Sequence, residues 1–233
     1  GWAMEARLYA ENPETGFLPS TGRLDVLDLP DVVCRVDSSV RDHDEILPFY
    51  DPMIAKVIVR GPSREDAVAE LRRACGEIRV FPVKTNAAFV WRCLSDSAFV
   101  AGDVDTGLID RRGPGLTATP PPTSDALSYA AQMFVSGAAA RVGGRFTPRH
   151  TEFWSPWRTL DGFRVNAAAT SNVRLRWKDS VYVTEPYETG LRAHRQGDRL
   201  VVFQNGEAYE FTLDTGERSA AEATAGDGAI LSP

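Results

Sequence analysis

A chain of 233 residues and 25.5 kDa, 43% hydrophobic and 25% charged, has the makeup of one large or two ordinary globular domains, which excludes a disordered or fibrous protein. Its 26 basic and 32 acidic residues leave a net charge of −6. That balance argues against nucleic acid or an anionic membrane surface as partner, since both require clustered Lys and Arg, and no apolar run approaches the ~20 residues of a bilayer span.

The first residues alternate, with Met4, Ala6 and Leu8 on one side and Glu5, Arg7 and Tyr9 on the other, which predicts a strand entered directly. Met53–Val59 is an apolar, β-branched run of strand length closed by Gly61-Pro62. Ser63 with Asp66 three residues on is an approximate capping box, and Ala67, Leu71, Ala74, Cys75 and Ile78 then repeat at helical spacing. Arg79–Val83 is extended again, and Thr85 or Asn86 opens a second helix with Phe89, Val90, Cys93 and Leu94 inward. This order predicts an antiparallel sheet covered on one side by helices over residues 1–112.

Residues 113–122 combine Gly113-Pro114-Gly115 with Pro120-Pro121-Pro122 and are expected to be a linker that holds two halves apart. Thr123 or Ser124 then caps a long helix, with Leu127, Ala130, Ala131, Phe134 and Ala138 as its apolar stripe and Gly143-Gly144 at its end. Strands follow at Phe163–Ala168, Val173–Trp177, Val181–Thr184, Leu191–His194, Leu200–Gln204 and Ala208–Leu213. Turn signals separate them, including Lys178-Asp179, Gln196-Gly197-Asp198 and Asn205-Gly206. The expected fold class is therefore α+β throughout, the second half (residues 123–226) being a small antiparallel β-barrel around one long helix. An apolar segment starts at Ala229, so the chain is expected to be a piece of a longer polypeptide.

Residue chemistry offers no self-sufficient active site. No phosphate loop is present, His43, His150 and His194 stand apart without metal-ligand spacing, and Cys34, Cys75 and Cys93 form no CxxC pair and read as reduced thiols. No metal site is expected. Two segments do stand out: Glu5-Ala6-Arg7-Leu8-Tyr9-Ala10-Glu11 and Tyr50-Asp51-Pro52-Met53-Ile54-Ala55-Lys56. An Arg flanked by Glu on a strand is a fixed planar donor suited to a carboxylate or bicarbonate. The same spacing equally describes an ordinary surface ion pair. Phe153-Trp154-Ser155-Pro156-Trp157 is either an aromatic anchor for a protein partner or a plug for a barrel end.

Together with Phe17-Leu18-Pro19-Ser20-Thr21-Gly22, Val36-Asp37, Val83-Lys84-Thr85-Asn86 and Gly102-Asp103-Val104-Asp105-Thr106, these segments closely resemble the C-terminal domain of biotin carboxylases across residues 1–112. Residues 116–225 resemble more loosely the domain that joins biotin carboxylase to carboxyltransferase in α subunits, a long helix within an antiparallel β-barrel. Residues 227–233 look like the start of a biotin carrier domain. The resemblance implies a ligase of the acyl-CoA carboxylase family, of the 3-methylcrotonyl-CoA or geranyl-CoA type more than the propionyl-CoA type because the joining segment is short. It implies biotin on a carrier domain outside this chain, with ATP and Mg²⁺ used by the parent and not bound by this segment. It also implies a carboxyltransferase β subunit as partner and α subunits that oligomerise. The location it implies is a bacterial cytoplasm, or the mitochondrial matrix in a eukaryote. In the family, the arginine matching Arg7 is catalytic, contacting bicarbonate and the ureido oxygen of biotin. The aspartate matching Asp51 lies beside the biotin ring, and the arginine matching Arg35 belongs to the dimer face. Trp154 and Trp157 are expected to dock the β subunit. Trp2 stands where many relatives have His. The alternative is a non-catalytic docking module on a degenerate carboxylase scaffold.

Overall fold

The computed structural model describes residues 1–142 and 172–214, the side chains of 137–142 excepted. Strands come first: β1 (Trp2–Tyr9), β2 (Glu11–Asn12), β3 (Leu18–Pro19), β4 (Gly22–Arg23), β5 (Val26–Asp28), β6 (Arg35–Ser38), β7 (Glu45–Ile46) and β8 (Met53–Gly61). Helix α1 (Arg64–Glu77), strand β9 (Arg79–Phe81) and helices α2 (Ala87–Cys93), α3 (Ser97–Ala101), α4 (Leu108–Arg112) and α5 (Pro114–Thr117) follow. The second half is α6 (Ser124–Val142), then β10 (Val173–Trp177), β11 (Ser180–Thr184), β12 (Arg192–Gln196), β13 (Arg199–Gln204) and β14 (Glu207–Leu213).

The first half is built on the antiparallel sheet β1-β8-β6. Its inner face alternates in register, with Met4 opposite Val59, Ala6 opposite Val57 and Leu8 opposite Ala55. Helix α1 covers that face with Val68, Leu71, Ala74 and Cys75, all buried. The helix starts where the sequence supplies its cap: Ser63 Oγ accepts from the Asp66 amide, and the Asp66 carboxylate accepts from the Ser63 amide, both at 3.1 Å. One sheet face is thus dry and the other open, which leaves every outward side chain of β1, β8 and β6 free to meet a ligand or partner.

In the second half the strands form one five-stranded antiparallel sheet, in the order β11-β10-β14-β13-β12. Its core face packs Leu175, Leu200, Val202, Tyr209 and Phe211 against Ala126, Ala130, Ala131 and Phe134 of α6. Alanines on the helix let the sheet approach closely. Thr123 caps α6, its Oγ1 accepting from the Ala126 amide at 3.2 Å and donating to Gln204 Oε1 at 2.8 Å. The sheet has two edges, β11 and β12, and no closed barrel is found among the described residues. The expected strand at 163–168, the Gly143-Gly144 helix end and the carrier-domain start at 227–233 lie outside the described residues.

The segment 113–122 differs from the tether that its composition predicts. Pro114–Thr117 is helical, Leu116 is buried at 5% exposure, and the Thr119 amide donates to Glu14 Oε1 at 2.9 Å. The halves touch over a seam. Phe81 of β9 packs with Val201 and Phe203 of β13, and Arg92 of α2 pairs with Glu207 of β14 at 2.8 Å. The reason lies in β13, whose Leu200-Val201-Val202-Phe203 run is buried on both faces. One face meets α6, and the other needs a second cover, which the first half supplies. No helix among the described residues is long and apolar enough to cross a membrane.

Candidate functional site

The open face of β1-β8-β6 carries the polar side chains that the alternation of β1 predicts. Register places Arg7 opposite Lys56 and Lys56 opposite Asp37, one row across three strands. The neighbouring row is Glu5, Ile58 and Arg35. Arg7 and Arg35 therefore share a face, on strands roughly 10 Å apart at two inter-strand spacings.

Arg7 is 59% exposed and yet fixed: its Nε donates to Glu5 Oε1 at 3.2 Å. The hydrogen bonds to Glu5 and then Tyr9, both on its own strand and face, raise its pKa above the ordinary guanidinium value. It stays a cation at every relevant pH. Arg35 forks onto Asp37, with Nε to Oδ1 at 3.0 Å and Nη2 to Oδ2 at 2.9 Å. Those bonds, against the opposing effect of burial, lower the Asp37 pKa, and the charges of Arg35 and Lys56 lower it further.

Asp51 lies exposed in the loop between β7 and β8, just before the Pro52 carbonyl that accepts from the Ala10 amide at 2.9 Å. This places it beyond the Tyr9 end of β1. Its charge reaches Glu11, whose pKa is raised first by burial and then by Asp51. Leu47, Phe49 and Tyr50 of the same loop are exposed, Phe49 at 82% and Tyr50 at 79%. Asp51 and this apolar loop thus lie beyond the end of β1 that Arg7 is nearer to. Arg35 stands across the open face on the edge strand β6, three residues after Val32, which is 94% exposed. Trp154 and Trp157 lie outside the described residues.

The face sets two cations, Arg7 and Lys56, opposite each other on neighbouring strands. Among the described residues no group of three or more His, Cys, Asp or Glu gathers as metal ligands. Burial pushes the Cys75 thiol up to about 12 and the Cys93 thiol up to about 11, so neither is a thiolate nucleophile at neutral pH.

Two features escape a reading of local sequence. Lys56, at the end of the segment that begins with Tyr50, is the cross-strand neighbour of Arg7, which only register reveals. Asn86, read as a helix start, is a buried side chain bonded to the backbone of β1. No local pattern marks a pairing across 77 residues.

Residues 5–111 match the family described as Biotin carboxylase C-terminal domain. The methylcrotonoyl-CoA carboxylase subunit alpha, mitochondrial, of Dictyostelium discoideum is 38% identical over 216 residues, covering 90% of this chain and 30% of that protein. Biotin carboxylase 2 of Bacillus subtilis is 41% identical over 110 residues, covering 47% of this chain and 24% of that protein. Among solved structures, the biotin carboxylase domain of the Hydrogenobacter thermophilus 2-oxoglutarate carboxylase is 30% identical at a TM-score of 0.49, covering 52% of this chain and 27% of that one. The chain thus spans about 30% of the length of its Dictyostelium relative.

Proposed function

We propose, from the premise that this chain belongs through residues 5–111 to the biotin carboxylase C-terminal domain family, that it is part of the α subunit of a biotin-dependent acyl-CoA carboxylase. The observation that carries the reading is Arg7: a permanent cation, held in place by Glu5 and Tyr9 on an otherwise open sheet face. Biotin, carried on another domain, supplies a ureido nitrogen that accepts the carboxyl group. This chain's part is to bind and orient. With both bound, Arg7 would hold bicarbonate and the ureido oxygen through donors that its bond to Glu5 leaves free, and its fixed charge would offset negative charge there. Lys56 adds a second positive charge one strand away. Asp51 and the exposed Phe49 and Tyr50 wall the ring. Nothing in the described residues is assigned to holding ATP or Mg²⁺; both belong to the longer polypeptide.

The edge strand β6, with Arg35 and exposed Val32, is the face through which α subunits dimerise. An unpaired strand edge preceded by the exposed Val32 and Val33 is suited to a second copy. The second half docks the carboxyltransferase β subunit, Trp154 and Trp157 included, and its five strands and α6 belong to a barrel that wraps the helix. The acyl acceptor is 3-methylcrotonyl-CoA, a choice supported by the relative that matches 90% of the chain.

The test is enzymatic. The longer polypeptide, co-expressed with its β subunit, should fix labelled bicarbonate onto 3-methylcrotonyl-CoA in an ATP-dependent way, faster than onto geranyl-CoA or propionyl-CoA. Fixation without dependence on biotin, or none on any acyl-CoA, would overturn the reading.

A further inference from the structure

Among the described residues Asn86 is the buried polar side chain, at 8% exposure, and the carboxylation reading makes no use of it. It precedes α2 and yet its side chain makes no cap bond to that helix. It turns to β1 instead. Its Oδ1 accepts from the Tyr9 amide at 2.9 Å and its Nδ2 donates to the Arg7 carbonyl at 3.1 Å, while its own amide donates to the Tyr9 carbonyl at 3.2 Å. A carboxamide both donates and accepts, so Asn86 pairs with β1 as a short stretch of strand would. It does so where the β1–β8 register shifts, between Leu8 and Tyr9. Asn86 therefore holds the backbone on both sides of that shift, at Arg7 and at Tyr9.

The first turn of α2 has a second neighbour, from the other half of the chain. Gly206 closes the β13–β14 hairpin at φ +78°, so close that a Cβ there would lie 2.8 Å from the Ala88 nitrogen and 3.0 Å from the Ala87 carbonyl carbon. Its amide donates to the Gly76 carbonyl at 3.3 Å. From the hairpin tip to Arg7 one chain of contacts runs through Ala87 and Asn86. We propose that Asn86 is a positioning residue for Arg7, and that seating of the Asn205-Gly206 turn against Ala87 and Ala88 sets where Asn86 sits. The second half is thereby coupled to the Arg7 site. The importance of Arg7 rests on the carboxylase reading, whereas the coupling itself does not.

The test is NMR on the ¹⁵N-labelled 233-residue chain, following the Tyr9 amide and the Arg7 Nε–Hε cross-peak. Gly206→Ala should shift both. Gly197→Ala is the matched control, because Gly197 also has positive φ (+62°) but a Cβ there meets nothing within 4 Å; it should leave both in place. Asn86→Asp keeps the acceptor for Tyr9 and loses the donor to Arg7, so the Arg7 peak should move while the Tyr9 amide stays protected. Asn86→Ala should speed Tyr9 amide exchange about tenfold, the loss of one hydrogen bond; if it fails to fold, Asn86→Asp decides. Gly206→Ala leaving both signals as Gly197→Ala does would overturn the coupling. An unmoved Arg7 peak in Asn86→Asp would overturn the positioning role. Neither readout involves biotin or bicarbonate, so each stands apart from the enzymatic test.

Discussion

Arg7 combines exposure with a hydrogen bond to Glu5 on its own strand. A solvated ion pair to Glu5 contributes little to stability, so its substitution should separate folding from chemistry. In the longer polypeptide, Arg7→Ala is expected to lower the rate of biotin carboxylation by ~10²–10³, the usual effect of removing one donor aimed at developing charge, with ATP affinity unchanged. Arg7→Lys should also be poor, because an ammonium lacks the planar fork. Steady-state kinetics with free biotin checks both, and near-normal turnover in Arg7→Ala would reduce Arg7 to a structural partner of Glu5. The face that Arg7 occupies was legible from strict alternation along β1. Its neighbour Lys56 was not, since pairing between strands 49 residues apart depends on how the chain folds back.

Elements show how much one strand or cap can hold. In β13 the side chains at 200 and 202 face α6, while those at 201 and 203 face Phe81. Phe203→Ala should cost about 3–5 kcal/mol, the range for deleting a buried aromatic, read as a lower urea midpoint. At the start of α3, Asp96 accepts from the amides of Ala98 and Phe99 and from Arg112. The Arg112 bond foremost, against the cost of burial, and then those amides hold its pKa below the ordinary carboxylate value. A depressed carboxylate stabilises the fold above its unfolded value of about 4, and that contribution is lost as pH falls through the lower folded value. Asp96→Asn keeps the cap and loses the charge. Urea midpoints measured from pH 6 down to pH 2 should therefore fall less steeply in Asp96→Asn than in the wild type, and identical slopes would show that Asp96 does not carry the dependence. The α1 cap and the Asn205-Gly206 turn were readable because their partners lie within three residues. The two-sided burial of β13 was signalled by its unbroken apolar run, but not what covers it.

At the scale of the whole molecule the seam decides how the chain behaves. The Phe81–Val201–Phe203 cluster, the Arg92–Glu207 pair at 13% and 16% side-chain exposure, and the hydrogen bond from Arg92 Nε to the Leu116 carbonyl at 2.6 Å join both halves and the segment between them. Calorimetry on the full chain should show one cooperative transition, and two resolved transitions would mean that the seam is too weak to couple the halves. A double-mutant cycle on Arg92→Ala and Glu207→Ala should give a coupling of about 1–3 kcal/mol, since each group is largely out of water. Additive effects would show that the pair contributes nothing across the seam.

Sequence by itself determined what local physics can decide: most of the strand and helix segments among the described residues, the caps of α1 and α6, the Asn205-Gly206 turn, the outward face of β1, and a resemblance carried by contiguous motifs. Only the tertiary structure decided which rows cross the open sheet, that residues 113–122 are packed against the fold, and that Gly206 packs against Ala87, the residue after Asn86. They include contacts between Arg7 and Lys56, 49 residues apart, and between Ala87 and Gly206, 119 apart. They form because a half-covered strand and an irregular edge must find partners somewhere, and the sequence around each states the need without naming the partner.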